Sequence, residues 1–253
     1  MHAIILAAGR GNRLAQHNPD GLPKCLLEFG GRSLLARHLD VLYRLGIRQT
    51  DIVLGYEANR VIEHIATLAS RPDVAFHFNP RFEEGSVLSL WAAQETLTSG
   101  QPVIVMDADV LYHPGILQRL VETKSENCYL LDRDFLPGDE PVKIAVRDGL
   151  MVEFRKQLAN GLSYDLLGES VGFFRFGPAC AATIAEECAI FDTEGLGDAP
   201  HEEALRNVLL ADPGSFGFED VTGLPWIEID FPEDVARASD EILPAILKDF
   251  PDF

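Results

Sequence analysis

The chain has 253 residues, of which 47% are hydrophobic and 24% charged, and its formal net charge is −19 at pH 7. This composition is ordinary for a soluble globular protein. The acidic charge argues against binding to nucleic acid or to anionic lipid, because both rely on Lys and Arg. Apolar runs are shorter than the ~20 residues of a membrane helix, and the N-terminus lacks signal-peptide features. We therefore expect a cytoplasmic protein.

The first half of the chain alternates short apolar runs with amphipathic stretches. The apolar runs predict strands at 2–8, 51–54, 74–78, 102–106 and 128–131. Three-and-four spacing of apolar residues predicts helices at 33–45, 57–68, 86–97 and 114–122. Strands and helices that alternate with short links indicate a mostly parallel sheet with helices on both faces.

The pattern changes after Asp132, where strands follow one another with few helices between them. Strands are predicted at 141–146, 150–154, 169–176, 215–220 and 226–229. Helices are predicted at 179–188, 201–210 and 232–247. The sequence therefore predicts one α/β domain whose second half is rich in β-structure.

The strongest local motif is Leu6-Ala7-Ala8-Gly9-Arg10-Gly11-Asn12-Arg13-Leu14, directly after the first strand. Ligands of open α/β sheets bind outside the carboxyl ends of the strands. Gly9 and Gly11 let the backbone approach a phosphate, and Arg13 adds a forked donor. The loop is neither a Walker A loop nor the dinucleotide fingerprint, which would need Gly in place of Leu14. A tight glycine turn without a ligand is the alternative.

Two groups of carboxylates lie at predicted strand ends. Asp107 and Asp109 end an apolar strand, and Glu228 and Asp230 end a later one. Side chains two residues apart share a face of an extended chain, and oxygen ligands suit Mg²⁺. A capped turn is the alternative interpretation of the first group, and a half-buried strand followed by a helix cap is that of the second.

The glycine loop, with Pro23-Lys24-Cys25-Leu26 after it, resembles the opening of the nucleotidyltransferase family, L-A-A-G-x-G-x-R-L and then P-K-x-L. The resemblance implies a Rossmann-like, GT-A-like fold and Mg²⁺ as cofactor. It implies catalytic roles for Lys24 and Arg13. The implied nucleotide-binding residues are Leu6, Ala7, Ala8, Gly9 and Gly11, and the implied metal ligands are Asp107, Asp109 and Asp230.

Further motifs resemble those of cytidylyltransferases, especially the bacterial phosphocholine cytidylyltransferases. Gly85-Ser86 matches the step that contacts the pyrimidine, which implies base binding by Gly85 and Ser86. Glu140-Pro141-Val142-Lys143 and Gly168-Glu169-Ser170-Val171-Gly172 match motifs of the acceptor lobe. The resemblance implies that Lys143, Lys156 and Glu169 bind the acceptor. The chain departs from the pattern at His201, where an aromatic residue is usual, and at Glu203, where Asp is usual.

We therefore expect an enzyme that transfers CMP from CTP to a small phosphorylated alcohol such as phosphocholine and releases pyrophosphate. The alternatives are a sugar-1-phosphate nucleotidyltransferase using UTP, dTTP or GTP, and a cytidylyltransferase for aminoethylphosphonate or inositol phosphate. A nucleotide-binding regulatory subunit is the non-enzymatic alternative. Residues 1–135 would bind nucleotide, 136–225 the acceptor, and 226–253 would form a metal-binding strand and a closing helix. Partners would be small molecules, and a homodimer stays open.

Overall fold

In a computed structural model of the chain, the described residues are 1–14, 21–69, 71–136, 138–251 and 253. The strands are β1 His2–Ala7, β2 Glu28–Phe29, β3 Arg32–Ser33, β4 Gln49–Leu54, β5 Asp73–Phe78, β6 Val103–Asp107, β7 Val110–Tyr112, β8 Asn127–Asp132, β9 Lys143–Arg147, β10 Leu150–Arg155, β11 Leu166–Phe176, β12 Phe216–Asp220 and β13 Trp226–Glu228. The α-helices are α1 Leu34–Arg44, α2 Ala58–Ala66, α3 Ser86–Ala92, α4 Gln94–Leu97, α5 Pro114–Glu122, α6 Pro178–Thr193, α7 His201–Ala211, α8 Pro232–Arg237 and α9 Leu243–Asp249. In this part of the chain, no helix has the length and apolarity that crossing a bilayer requires.

The described residues place nine strands in one sheet, whose main path runs β10-β9-β11-β6-β1-β4-β5. Strands β6, β1, β4 and β5 are parallel neighbours. Strand β11 is antiparallel to β6, β8 and β9, so it joins the parallel part to the later strands. The expected α/β fold with a mixed, mostly parallel central sheet is confirmed.

Both faces of the sheet are buried against helices. Ala3 and Ile5 of β1 belong to one apolar cluster, and Ile4 between them belongs to the other. Successive side chains of a strand point to opposite faces of the sheet, so a strand that is covered on both faces must be apolar throughout. This explains why the first strand reads as a continuous apolar run.

Helix α1 begins where the sequence predicts. The Ser33 side chain accepts a hydrogen bond from the Ala36 N–H at 3.1 Å, which satisfies one of the unpaired donors of the first turn. Buried Leu35, Leu39 and Leu42 follow on one face. The predicted cap and helix are confirmed.

The structure differs from the predicted elements at several places. The helix predicted at 86–97 is interrupted at Ala93, between α3 and α4. Strand β11 begins earlier than predicted, at Leu166. Strand β7 was not predicted, because it is too short to be recognised as an apolar run. It is stabilised by pairing with the distant β13. The closing helix contains a π-helical turn at Ala238–Ile242.

A hydrogen-bonded network links the first strands away from the glycine loop. His77 Nε2 lies 2.7 Å from Asp51 Oδ1, and the Thr96 hydroxyl donates to the same oxygen at 2.9 Å. Burial opposes ionisation of Asp51, but the bonds from His77 and Thr96 outweigh it and lower its pKa. The bond to Asp51 raises the pKa of His77, against the effect of burial.

We expect Asp51→Asn to lower the free energy of unfolding by about 1–2 kcal/mol, because it removes a partly buried charged partner. The raised pKa of His77 gives stability that is full below its unfolded value of about 6.5 and is lost as pH rises through the folded value. The lowered pKa of Asp51 gives stability that is present above about pH 4 and is lost as pH falls. Urea unfolding between these limits should show the largest difference from wild type.

Asp73→Asn is the matched control, because Asp73 is an exposed carboxylate at the start of the neighbouring strand β5. An Asp51→Asn protein as stable as Asp73→Asn at pH 5.5 would contradict the expected contribution of the network.

Candidate active site

A cleft of about 300 Å³ opens at the carboxyl ends of β1 and β6. We call it the glycine-loop cleft, and most of the predicted site residues line it. Those residues are Leu6, Ala7, Ala8, Gly9, Gly11, Lys24, Ser86, Asp107, Asp109 and Lys156. Parallel strands whose carboxyl ends meet at one edge bring these distant segments together.

The glycine loop leaves β1 with its backbone open to this cleft. An added Cβ at Gly9 would meet no atom within 4 Å, so the backbone there is accessible to a ligand. Gly11 has φ +66°, and an added Cβ would lie 2.9 Å from Lys24 Cγ. Glycine is needed here both for the backbone conformation and for the close approach of the Lys24 stem.

Lys24 joins carboxylates from two distant strand ends. Its Nζ donates to Asp109 Oδ2 at 3.0 Å and to Asp230 Oδ1 at 2.6 Å. Arg13 Nη1 donates to the other oxygen of Asp230 at 2.9 Å. Burial opposes the charged form of Lys24, but the two carboxylates outweigh it and raise its pKa. Burial likewise opposes ionisation of Asp230, and Lys24 and Arg13 overcome it to lower the pKa.

A set of carboxylates that could hold a metal ion surrounds this lysine. Ligand oxygens of Asp109, Glu228 and Asp230 lie within 4.8 Å of one another. An all-oxygen set of carboxylates suits a hard cation such as Mg²⁺. Glu228 was not among the predicted ligands, although its two-residue spacing from Asp230 was the signal that could have found it.

Asp107, the last residue of β6, lies outside this carboxylate set and faces His201 at the start of α7. Its Oδ1 is 3.9 Å from His201 Nε2. Burial raises the pKa of Asp107, and the charges of Glu202 and Asp109 raise it further. Its predicted role as a metal ligand therefore stays a prediction.

The predicted base-binding step is connected to the second half of the chain. The Ser86 hydroxyl accepts from the His201 N–H at 2.8 Å and lies 3.0 Å from His201 Nδ1. An added Cβ at Gly85 would lie 2.0 Å from the Ala199 carbonyl oxygen, so only glycine fits there. The Ser86 side chain is thus engaged by α7, and base contact by Gly85 and Ser86 stays a prediction.

The predicted acceptor residues are dispersed. Lys143 Nζ donates to the carbonyls of Gly138 at 2.7 Å and Lys156 at 2.6 Å. The structure therefore holds the Lys143 ammonium against main chain and does not bring it into the glycine-loop cleft. Lys156 lines that cleft, and Glu169 lines a neighbouring pocket.

This neighbouring pocket, of about 390 Å³, is rich in carboxylates, and we call it the acidic pocket. Trp226 lies on its wall, where the indole N–H donates to Asp132 Oδ2 at 2.7 Å. Burial, and then the charge of Asp132, raise the pKa of Glu169 to about 7. The carboxylates that line the pocket include Asp132, Asp134, Glu169, Glu228, Asp230 and Asp234.

Residues 3–152 match the family of the MobA-like NTP transferase domain. The chain belongs to this family. The resemblance to nucleotidyltransferases is thereby confirmed, and so is the expectation of a nucleotidyltransferase at the level of the family.

Individual relatives of this NTP transferase were found in sequence and in structure. The chain is 24% identical to the CTP:phosphoglutamine cytidylyltransferase of Campylobacter jejuni, over 93% of this chain and 98% of the relative. It is 26% identical to the CMP-5'-(3-aminopropyl)phosphonate synthase of Streptomyces rubellomurinus, over 96% of this chain but only 39% of the relative. The inositol-1-phosphate CTP transferase of T. maritima shares its fold with a TM-score of 0.77 at 19% identity, over 98% and 96% of the two chains.

The position of Asp107 over Gly172 can be tested. Gly172 has φ +78°, and an added Cβ would lie 2.4 Å from Asp107 Oδ2. Gly172→Ala should therefore displace the Asp107 carboxylate and lower the rate of pyrophosphate release at least about tenfold, as loss of a positioned catalytic group does. The substitution should also cost about 1 kcal/mol of stability from the backbone conformation.

Gly149→Ala is the matched control, because Gly149 has the same φ of +78° and an added Cβ there meets nothing within 4 Å. Equal turnover in the two variants would show that Asp107 is not part of the machinery.

Proposed function

We propose that this NTP transferase transfers CMP from CTP to a small phosphorylated acceptor with a cationic head group, such as phosphocholine, and releases pyrophosphate. The observation that carries the proposal is the convergence of Lys24, Arg13, Asp109, Glu228 and Asp230 beside the open glycine loop. A pure nucleotide binder has no need of a metal-ligand set next to the phosphates.

The reaction follows from the placement of these groups. An oxygen of the acceptor phosphate attacks the α-phosphorus of CTP in line, the bond to the β-phosphate breaks, and pyrophosphate leaves. Mg²⁺ held by Asp109, Glu228 and Asp230 would neutralise charge on the attacking and leaving oxygens. Lys24 exchanges its carboxylate partners for phosphate oxygens, and Arg13 binds the triphosphate as a forked donor.

The choice of cytidine is supported by the relatives. The curated proteins from Campylobacter and Streptomyces are named for CTP or for a CMP product. The Gly85-Ser86 step lies at the start of α3, and Ser86 lines the glycine-loop cleft, within reach of a base bound there.

The cationic head group is supported by the charge of the acidic pocket. Among the described residues that line it, Arg237 is the only cation, against the set of carboxylates given above. Trp226, Phe135 and Phe231 add aromatic surface, which favours an ammonium group. A neutral hexose or inositol brings no positive charge to this acidic pocket, so sugar phosphates and inositol phosphate fit less well. Aminoethylphosphonate carries an ammonium group and stays a second candidate acceptor.

A substrate matrix tests the proposal. CTP, UTP, dTTP and GTP are each combined with phosphocholine, aminoethylphosphonate, inositol phosphate and glucose 1-phosphate, and pyrophosphate release is measured with Mg²⁺ and with EDTA. We expect turnover with CTP and the cationic acceptors, and its loss in EDTA. Turnover with UTP and glucose 1-phosphate would instead establish a sugar nucleotidyltransferase, and CTP binding without turnover would indicate a regulatory subunit.

The raised pKa of Glu169 predicts a pH dependence of acceptor binding. Glu169 is protonated and neutral below about pH 7 and gains its negative charge above it. The KM for phosphocholine, whose head group is always charged, should therefore fall as pH rises from 6 to 8.

Glu169→Gln should raise the KM for phosphocholine about fivefold at pH 8 while the KM for CTP is unchanged, in line with about 1 kcal/mol for a partly exposed charge pair. The part of the pH dependence that comes from Glu169 should vanish in this variant, leaving only the ionisation of the acceptor phosphate. Identical pH profiles in the two proteins would remove Glu169 from acceptor binding.

A further inference from the structure

Glu140, a carboxylate that lines the acidic pocket, joins two exposed cations beside the glycine-loop cleft. Glu140 Oε2 lies 3.1 Å from Arg13 Nη1 and 3.2 Å from Lys156 Nζ. Arg13 belongs to the glycine loop, and Lys156 follows β10 in the second half of the chain. Glu140 therefore pairs with two cations expected to bind phosphate, Arg13 for the triphosphate and Lys156 for the acceptor.

The segment that carries Glu140 is held in place independently of these ion pairs. Lys143 Nζ donates to the carbonyls of Gly138, Pro141 and Lys156. These bonds tie the backbone on the Glu140 side of the cleft to the backbone that carries Lys156. The Glu140 side chain can consequently leave its partners while the segment stays anchored.

The ion pairs of Glu140 are of the kind that a stronger anion displaces. The side chains of Glu140, Arg13 and Lys156 are 53%, 44% and 44% exposed. Pairs this exposed are weak and are screened by salt. Arg13 also donates to Asp230, and a triphosphate offers it several charged oxygens in place of the one from Glu140. An acceptor phosphate offers the same to Lys156.

We infer that Glu140 is an internal substitute for substrate phosphate, which holds Arg13 and Lys156 before substrate binds and is displaced when CTP and the acceptor bind. The inference rests on the proposed function, since it assigns these two cations to substrate phosphates. Glu140 lowers the affinity for triphosphate, because its bonds must be broken first. Glu140 also keeps the Arg13 and Lys156 side chains in place and pairs their charges.

The test is the affinity of Glu140→Gln for two probes, CTP and inorganic tripolyphosphate. Calorimetry with Mg²⁺, at low salt and without acceptor, measures binding alone. Removal of the competing charge should lower Kd for both probes about two- to fivefold, the range of an exposed ion pair. The gain should shrink at 0.5 M salt. Asp139→Asn is the control, because it removes the same charge at the residue before Glu140. The Kd of this variant for both probes should equal that of wild type.

Equal or weaker binding by Glu140→Gln overturns the inference, and so does an equal gain in Asp139→Asn. Wild type that turns over CTP while Glu140→Gln shows no gain leaves the proposed function intact and removes only the inference. Tighter tripolyphosphate binding in Glu140→Gln, with no CTP binding by wild type, would keep the inference and remove the proposed function.

Discussion

The contact of the Lys24 ammonium with Asp109 and Asp230 is the interaction on which the rest of the site depends. One carboxylate comes from the end of β6 and the other follows β13, more than a hundred residues later in the chain. Without a cation between them, two partly buried carboxylates would repel each other, and one would have to take up a proton. Lys24 lies between them and, against the effect of burial, helps to lower the pKa of Asp230, so the two carboxylates stay close together.

Positive charge is scarce throughout the cleft. A chain with 40 acidic and 21 basic residues can hold a triphosphate only where its cations are concentrated. Arg13, Lys24 and Lys156 are each paired with a carboxylate of the chain. If these cations bind substrate as proposed, binding exchanges one set of anions for another, and its net free energy is the difference between two sets of ion pairs.

Strand β11 connects the two halves of the molecule. It pairs with β6, which ends in Asp107, and with β9, which begins at Lys143. Its Glu169 lines the acidic pocket, while Gly172 packs against the Asp107 carboxylate. One continuous strand therefore lines the acidic pocket at Glu169 and packs against Asp107, which lines the glycine-loop cleft.

The sequence by itself determined the α/β fold, most of the helices and strands, and the glycine loop with Lys24, because periodic apolar patterns and loop motifs are local properties. It also singled out Asp109, from its place after an apolar strand, and Asp230, from the family resemblance, and their role as metal ligands stays a prediction. Only the tertiary structure decided that Glu228 joins them, that Asp107 faces His201 instead, and that Lys143 and Ser86 are engaged by other parts of the chain. These outcomes depend on which distant strand ends meet at one edge of the sheet and on which donors the folded backbone satisfies, and neither is encoded in the spacing of neighbouring residues.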